Sequence, residues 1–464
     1  MSGALYTPGI LVCVAGVIVG IRLMNSPRTA ALGNITGACS LGLGILLTLL
    51  HENVIGQPLV WGALFLGAAL GGLLAVVVKT IQMPQTVALL NGLGGAASAL
   101  VGLAILTAPS ATDLAGQGAA ALALAVGAIT FSGSLTAAGK LSGVLPQKPT
   151  RVSNYRLYSA TLGTILIICL AMLTVGIGAW SAAVPALVLA LALGVLFAIR
   201  IGGADMPIAI SLLNSMSGIS AAIAGFAVNS VLLVAVGAIV GAAGFILTRI
   251  MCGAMNRSLG VVLAGATTTT GAAPQAERKD VNASVVADVP EKPAKPDIAD
   301  LLRDAQSVFI VPGYGMALSQ AQAQVKQLAD ILGEQGKTVK FAIHPVAGRM
   351  PGHMHVLLAE VDVPYDSLFE MDAINDDFAA TDLVVVVGAN DVVNPAAATA
   401  EGTPIHGMPI LRAGEAKYVI VCNLDDEPGY AGVPNSLYEQ DNVILIQGNA
   451  AETLQTLIEN IESK

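Results

Sequence analysis

Of the chain's 464 residues, 55% are hydrophobic and 11% charged, well under the roughly 25% charge of a soluble domain, so a wholly water-soluble protein is excluded. Charge is uneven: residues 1–260 carry 10 Lys and Arg against 3 Asp and Glu, and residues 261–464 carry 12 against 28. The acidic second part argues against nucleic acid as a partner, and five scattered cysteines with no C-x-x-C pair argue against a disulfide scaffold or zinc site.

From the N-terminus, runs of roughly 17–25 apolar residues are long enough to cross a bilayer. Nine occur, centred near Val17, Leu41, Ala69, Ala97, Ala125, Leu170, Ala190, Ala222 and Ile239. Gly and Ala crowd them, as in GLGGAASALVG and GAIVGAAG, which suits helices in close contact. With an outside N-terminus, the inner loops take Arg22, Arg28, Lys79, Lys140, Lys148, Arg151, Arg156, Arg200, Arg249 and Arg257, and the outer loops take no Lys or Arg. That split predicts a cytoplasmic C-terminal part. MSGALYTPG has no positive n-region, so no cleaved signal peptide is expected.

Polar groups within the apolar runs are scarce enough to be informative. Asn91 in ALLNGLGG and Asn214 in LLNSMSG lie deep in their runs, and Asp205 in GGADMP opens one. A buried Asn ordinarily bridges two helices by hydrogen bonding, and an Asp at a helix start ordinarily caps it. Flanking Gly and Ser also leave room for a watered path. His51 and Glu52 fall at an outer edge, where they are solvated.

Residues 261–304, with TTTTGAAPQAERKD at their heart, lack apolar periodicity and read as a flexible linker. It separates a membrane domain at 1–260 from a domain at 305–464. In the latter, strand-like runs appear at SVFIV, TVKFAI, DLVVVVG, MPIL, KYVIVC and NVILIQ. Helix-like runs fall at Met316–Leu332, His353–Glu360, Tyr365–Phe378 and Ala450–Ile461. The predicted fold is therefore a multi-pass α-helical membrane domain followed by an α/β Rossmann-like, doubly wound parallel sheet.

Gly313-Tyr314-Gly315-Met316-Ala317-Leu318 is a Gly-x-Gly turn between a strand and a helix. The first glycine permits a tight turn, and the second lets a pyrophosphate approach the backbone. A plain glycine-rich turn is the bland reading; its position at the opening of the sheet favours a nucleotide. Arg349 stands where an acid on the ribose is usual and suits a diphosphate, or is simply solvated. His344, His353 and His355 have no i, i+4 pair and no completing ligands, so no metal is expected. Gly388-Ala389-Asn390-Asp391 ends a buried strand, where open sheets bind ligands; the alternative is a helix cap before Pro395.

PGYGMALSQAQ, HPVAGRMPGHMHVLLAEVDVPYD, EMDAINDDF, GANDVVNPAA and GYAGVPN, with ADMPIAISLLNSMSG and IMCGAMNRS in the membrane part, together resemble the beta subunit of proton-translocating nicotinamide nucleotide transhydrogenase. The resemblance spans essentially the whole chain. It implies an Re/Si-specific hydride exchange between NAD(H) and NADP(H), coupled to inward proton movement across a bacterial inner membrane. NADP(H) would sit on this chain and NAD(H) on a separate alpha subunit with further helices, as a dimer of alpha–beta units in lipid. Carried over, Gly313, Tyr314, Gly315, Ala317, Arg349, Pro351 and Gly352 cradle the diphosphate. Gly388, Ala389, Asn390 and Asp391 lie by the nicotinamide, with Asp391 also placed to sense coupling. Gly429, Tyr430 and Ala431 form a lid, and Asn91, Asn214 and Asp205 match positions linked to proton passage.

Two departures stand out. Many members have histidine at Asn91, and asparagine does not titrate near neutrality. Where the family shows a Lys-Arg-Ser run on the 2′-phosphate, this chain has Asn423-Leu424-Asp425. That trio suits a ribose diol better than a phosphate, unless Lys417 or Arg412 swings in. From another class, the runner-up is a nucleotide-gated channel or transporter with a redox-sensing Rossmann domain.

Overall fold

The computed structural model describes residues 3–108, 113–146, 150, 152–264, 296–350, 352–403, 405–429 and 431–462. The chain forms two compact units, Met1–Arg200 with Ala209–Thr248, and Ile201–Ile208 with Arg249–Lys464. Most of the expected linker, together with Lys148, Arg151, Pro351 and Tyr430, lies outside the described residues.

Each predicted apolar run is a helix: α1 Gly3–Met24, α2 Pro27–His51, α3 Pro58–Val77, α4 Met83–Thr107, α5 Leu114–Leu141, α6 Tyr155–Thr174, α7 Ala179–Ile199, α8 Met206–Ala227 and α9 Val231–Ala254. Among the described residues these nine are long and apolar enough to span a membrane. Proline opens α2 and α3, where its missing N–H costs no helical bond. Asp113 caps α5, accepting from Gly116 N–H at 3.0 Å.

Glycine decides how closely α4 and α5 approach. A Cβ on Gly95 would stand 2.7 Å from the Gly127 carbonyl oxygen, and one on Gly127 2.4 Å from that of Gly95. The two helices therefore meet backbone to backbone, the source of packing energy where no hydrophobic effect operates. Lys140, at the end of α5, is only 1% exposed and donates from Nζ to the Ile199 carbonyl at 2.5 Å. It thus neutralises the carboxyl end of α7 from inside the bundle. By contrast α3 buries no residue, although Ala63, Gly67, Gly71 and Ala75 repeat every fourth position along one face.

The second unit contains α10 Leu259–Ala264 and α11 Ile298–Asp304, the latter a helix where a tether was expected. Its six strands are β1 Ser307–Pro312, β2 Thr338–Ile343, β3 Leu368–Glu370, β4 Leu383–Val387, β5 Tyr418–Asn423 and β6 Val443–Gln447. All pair in parallel in the order β3-β2-β1-β4-β5-β6. Between them run α12 Tyr314–Leu318, α13 Gln322–Glu334, α14 His353–Glu360, α15 Met371–Ile374, α16 Ala396–Thr399 and finally α17 Ala450–Glu462. Side chains alternate between two cores. Val308, Ile310, Val385 and Ile420 face α13, α14 and α17, while Phe309, Val311, Val384 and Val421 face Ile374, Phe378 and Leu437. All five residues of β4 are buried, as a central strand covered on both faces requires.

Three local expectations change. MPIL is not a strand: Pro409 has no N–H to give a ladder, and Leu411 N–H instead bonds the Val392 carbonyl at 2.9 Å. The sixth strand is β3, inside the segment expected to be one helix from Tyr365 to Phe378. The helix expected over Met316–Leu332 is broken into α12 and α13, with Gln320 at φ +53° between them.

Candidate functional site

The strand order reverses between β1 and β4, and the crevice at such a point, beyond the carboxyl ends, is where open sheets bind ligands. Three glycines close it. Gly313 N–H bonds the Val387 carbonyl and Gly315 N–H the Gly388 carbonyl, each at 2.8 Å. A Cβ on Gly313 would lie 2.2 Å from the Gly388 oxygen, and one on Gly315 2.6 Å from the Gly388 Cα. Gly388, at φ +64°, would bring a Cβ to 2.3 Å from Met316 N. The turn therefore requires glycine first for contact with β4, a role the motif alone did not disclose; Ala317 is buried behind it.

Arg349 comes to this turn from the loop after β2. It is 5% exposed, and its guanidinium carbon lies 4.3 Å from the Tyr314 ring centroid. Burial pushes its pKa down, and a hydrogen bond with Tyr314 opposes the shift. Arg349 N–H also donates to His353 Nδ1 at 3.0 Å. Gly348, at φ +104°, leaves the space this needs, since a Cβ there would sit 2.4 Å from the same nitrogen. Gly352, left-handed at φ +71°, opens α14.

Beyond β4, the side chains of Asn390 and Asp391 fasten the loop after β5. Asn390 Nδ2 donates to the Glu427 carbonyl at 2.9 Å. Asp391 Oδ2 accepts from Ala431 N–H at 3.0 Å, and a Cβ on Gly429 would be 2.6 Å from Asp391 Oδ1. Burial raises the Asp391 pKa, with the Ala431 bond and Arg257 opposing. Ala389 is buried at the strand end and its carbonyl accepts from Asn423 Nδ2 at 2.9 Å. Asn423 Nδ2 also reaches the Tyr438 hydroxyl at 2.6 Å, Leu424 is 73% exposed, and Asp425 Oδ1 accepts from Glu427 N–H at 3.2 Å. A cavity of about 150 Å³ opens here, lined by Gly315, Leu318, Ser319, Gly388, Cys422, Leu424 and the Gly448–Ala450 turn.

Sequence reasoning missed two asparagines and underrated one histidine. Asn394 is fully buried, donates to the Pro434 carbonyl and accepts from Ala396 and Ser436 N–H. Asn435 donates to both Asn390 oxygens at 3.2 Å and accepts from Leu437 N–H. His353 supports the Arg349 backbone through its Nδ1, and no cluster of three metal-ligating side chains occurs among the described residues. His344 donates from Nε2 to the Pro409 carbonyl at 2.9 Å and accepts from Val346 N–H.

Both rings are held neutral, their pKa lowered to about 4, by burial at His344 and by burial and then the Arg349 charge at His353. The depressed values mean that the unfolded chain binds protons more readily. The stability they contribute is complete above an ordinary histidine pKa of about 6.5 and is lost as pH falls towards about 4. Calorimetric melting of the purified chain is expected to show a midpoint that drops across this window, and less so in His353→Gln. A midpoint level from pH 6.5 to 4 excludes the assignment.

The membrane candidates divide between the two units. Asn91 on α4 is 8% exposed, and its Nδ2 has no hydrogen-bond partner among the described residues. Asn214 lies on α8, its carbonyl accepting from Ser217 Oγ at 2.9 Å, and Ser217 Cβ is 3.7 Å from a Cβ built on Gly94 of α4. Asp205 belongs to the second unit, 2% exposed, with Arg257 Nε 3.8 Å away.

The sequence model of the family described as NAD(P) transhydrogenase beta subunit matches residues 7–460. Two curated relatives, each an NAD(P) transhydrogenase subunit beta from Rhodospirillum rubrum, are 41% identical over 456 residues, covering 96% of this chain and 97% of the relative.

Proposed function

We propose a function from one premise: the chain belongs to the NAD(P) transhydrogenase beta subunit family. It is a membrane protein with an oxidoreductase role, and as a beta subunit it has an alpha subunit for a partner. In the proposed reaction, an Re/Si-specific hydride exchange between NAD(H) and NADP(H) is coupled to inward proton movement. The N-terminus lies outside and the nucleotide-binding unit in the cytoplasm, consistent with the all-inner placement of Lys and Arg.

One observation carries this reading. The described residues contain a single Rossmann-type sheet, and hydride exchange needs two nicotinamides in contact. This chain holds one dinucleotide and the alpha subunit the other. Helix α3, with no buried residue and a stripe of small side chains, supports the same division, because it offers a face for a partner's helices.

The family implies NADP(H) for this chain and NAD(H) for the partner. The body of a dinucleotide fits the carboxyl edge: the interlocked glycines leave backbone within reach of a pyrophosphate, and Arg349 supplies positive charge. Bound nicotinamide supplies the hydride chemistry. The chain's own work is positional. Tyr314 and His353 orient Arg349, Asn390 and Asp391 hold the Gly429–Ala431 lid, and Asn394 and Asn435 fix the lid's far end. Protonation of Asp391 removes the charge that draws the Ala431 N–H, which gives proton movement a handle on the lid. We take the adenosine end to lie beside Asn423–Asp425, where the family resemblance puts it and where a cavity lined in part by Leu424 offers room.

Purified alone, the chain is expected to bind a nucleotide and to transfer no hydride between two nucleotides. Adding an NAD(H)-binding alpha subunit restores turnover. Robust transfer by the isolated chain sinks the division of labour.

A further inference from the structure

The described Lys and Arg residues of this unit's sheet and its helices avoid one corner of the carboxyl edge. Arg303 pairs with Asp300 and Asp304 ahead of β1, and Lys337 donates to the Arg303 and Ala305 carbonyls on that same amino edge. Lys326 pairs with Asp330 along α13, and Lys340 with Asp377. Lys417 lies just before β5, its N–H on the Thr381 carbonyl and its charge acting on Asp382. From there to Asn423 is the full length of the strand, about 20 Å. Arg412 is held by Asp376 and Glu415. Lys417 thus begins a full strand's length away, and the Arg412 guanidinium is already engaged by two carboxylates. Among the described residues of the sheet and its helices only Arg349 reaches the carboxyl edge, fixed over Tyr314 on the β1–β2 side, while Arg257, ahead of α10, acts there on Asp391.

What lies at the ends of β5 and β6 instead is neutral or acidic. Asn423 spends its N–H₂ on Ala389 and Tyr438, and its Oδ1 is a buried acceptor with no protein partner among the described residues. Leu424 faces out, and Asp425, Asp426 and Glu427 follow. At the amino end of α17, Asn449 Oδ1 already takes the Ala451 N–H at 2.9 Å, and Glu452 adds an acid to the first turn. A phosphomonoester carries close to two negative charges at neutral pH and offers mainly acceptors. It meets acceptors and acids here. A ribose diol brings two O–H donors, which is what a surplus of acceptors can use.

We propose that this chain takes its dinucleotide with a free 2′-hydroxyl, so that it holds NAD(H) at least as tightly as NADP(H). This rests on the reading above that the adenosine end lies beside Asn423–Asp425. Sites built for a phosphate supply Arg or Lys bonds that are each worth about tenfold or more in affinity, and that selectivity is missing here.

Calorimetric titration of the purified full-length chain with NADH and, separately, NADPH tests the idea at low and at physiological salt. The expected result is an NADH affinity equal to or greater than that for NADPH. In a second protein, Leu424→Arg with Asp425→Ser, the NADPH-to-NADH affinity ratio is expected to rise tenfold or more. Leu424 is exposed, so this change leaves the sheet intact. A wild-type preference of tenfold or more for NADPH overturns the proposal. A ratio unmoved by the double substitution also overturns it, by placing the adenosine elsewhere. Binding of neither nucleotide instead removes the nucleotide-binding reading beneath it.

Discussion

Gly388→Ala is expected to lower nucleotide affinity at least a hundredfold while the chain still folds. The alanine methyl would stand 2.3 Å from Met316 N and 2.4 Å from Gly315 Cα, both backbone atoms that no rotamer change can move. It would also hold φ near +64°, where an L-residue costs about 1–2 kcal/mol. Relief requires the Gly313–Met316 turn to lift off the end of β4, which breaks the Gly315 N–H bond to the Gly388 carbonyl. A displaced turn no longer presents its backbone at the proposed pyrophosphate site. Each bond to a charged phosphate oxygen lost in this way is worth about tenfold or more, so two such losses give the hundredfold. Gly336→Ala is the control, because Gly336 has φ +84° and open space around it. It carries the backbone penalty without the collision. Calorimetry of both variants separates the two terms, and G388A with near-normal affinity rules out the interlocked glycines as the floor of the site.

Much of this architecture was legible because solvent and lipid impose it. Apolar runs of bilayer length must be helices, and DLVVVVG can only be a strand buried on both faces. The unreadable parts were settled by pairing and by local hydrogen bonds. SLFE looks no different from the acidic helical residues after it, and becomes β3 because Phe341, Ala342 and Ile343 of β2 offer it an edge. MPIL has a strand's composition, but its Ile410 carbonyl is taken by Asn375 Nδ2 at 2.9 Å. In the site, glycines and Arg349 carried a recognisable pattern. Asn394 and Asn435 carried none, since nothing in GANDVVNPAA or GYAGVPN says which amide turns inward. The histidines drew attention as possible ligands, and burial gave two of them structural bonds. The placement of Lys417 at the amino edge depends on strand direction, and the engagement of Arg412 on a partner 36 residues away, Asp376.

Asn91→Leu is expected to slow proton translocation tenfold or more while nucleotide affinity stays within about threefold. Asn91 and Ser134 sit on neighbouring helices in the membrane unit, and a Cβ built on Gly92 would lie 3.0 Å from Ser134 Cβ. Asn91 Nδ2 and Ser134 Oγ are both buried without a hydrogen-bond partner among the described residues. The surrounding hydroxyls are otherwise spent on their own helices: Ser98 on Gly94, Thr130 on Val126, Thr136 on Ser132. An unmade bond of this kind costs about 1–3 kcal/mol, and two such groups on facing helices are what a bridging water satisfies. Leucine has the same number of side-chain heavy atoms as asparagine, branched at the same carbon, and prefers lipid, so it seats in the helix packing; what disappears is the polar contact that holds water. Among the nine membrane-length helices the one histidine, His51, stands at the end of α2, so we propose that the titrating group lies on the partner's helices, with Asn91 and Asn214 relaying to it through water. Vesicles carrying the chain with its alpha subunit, loaded with a pH-sensitive dye, measure pumping directly. Asn91→Gln, which keeps the amide, is expected to retain it in part. Pumping at the wild-type rate in Asn91→Leu would show that no proton passes by way of α4.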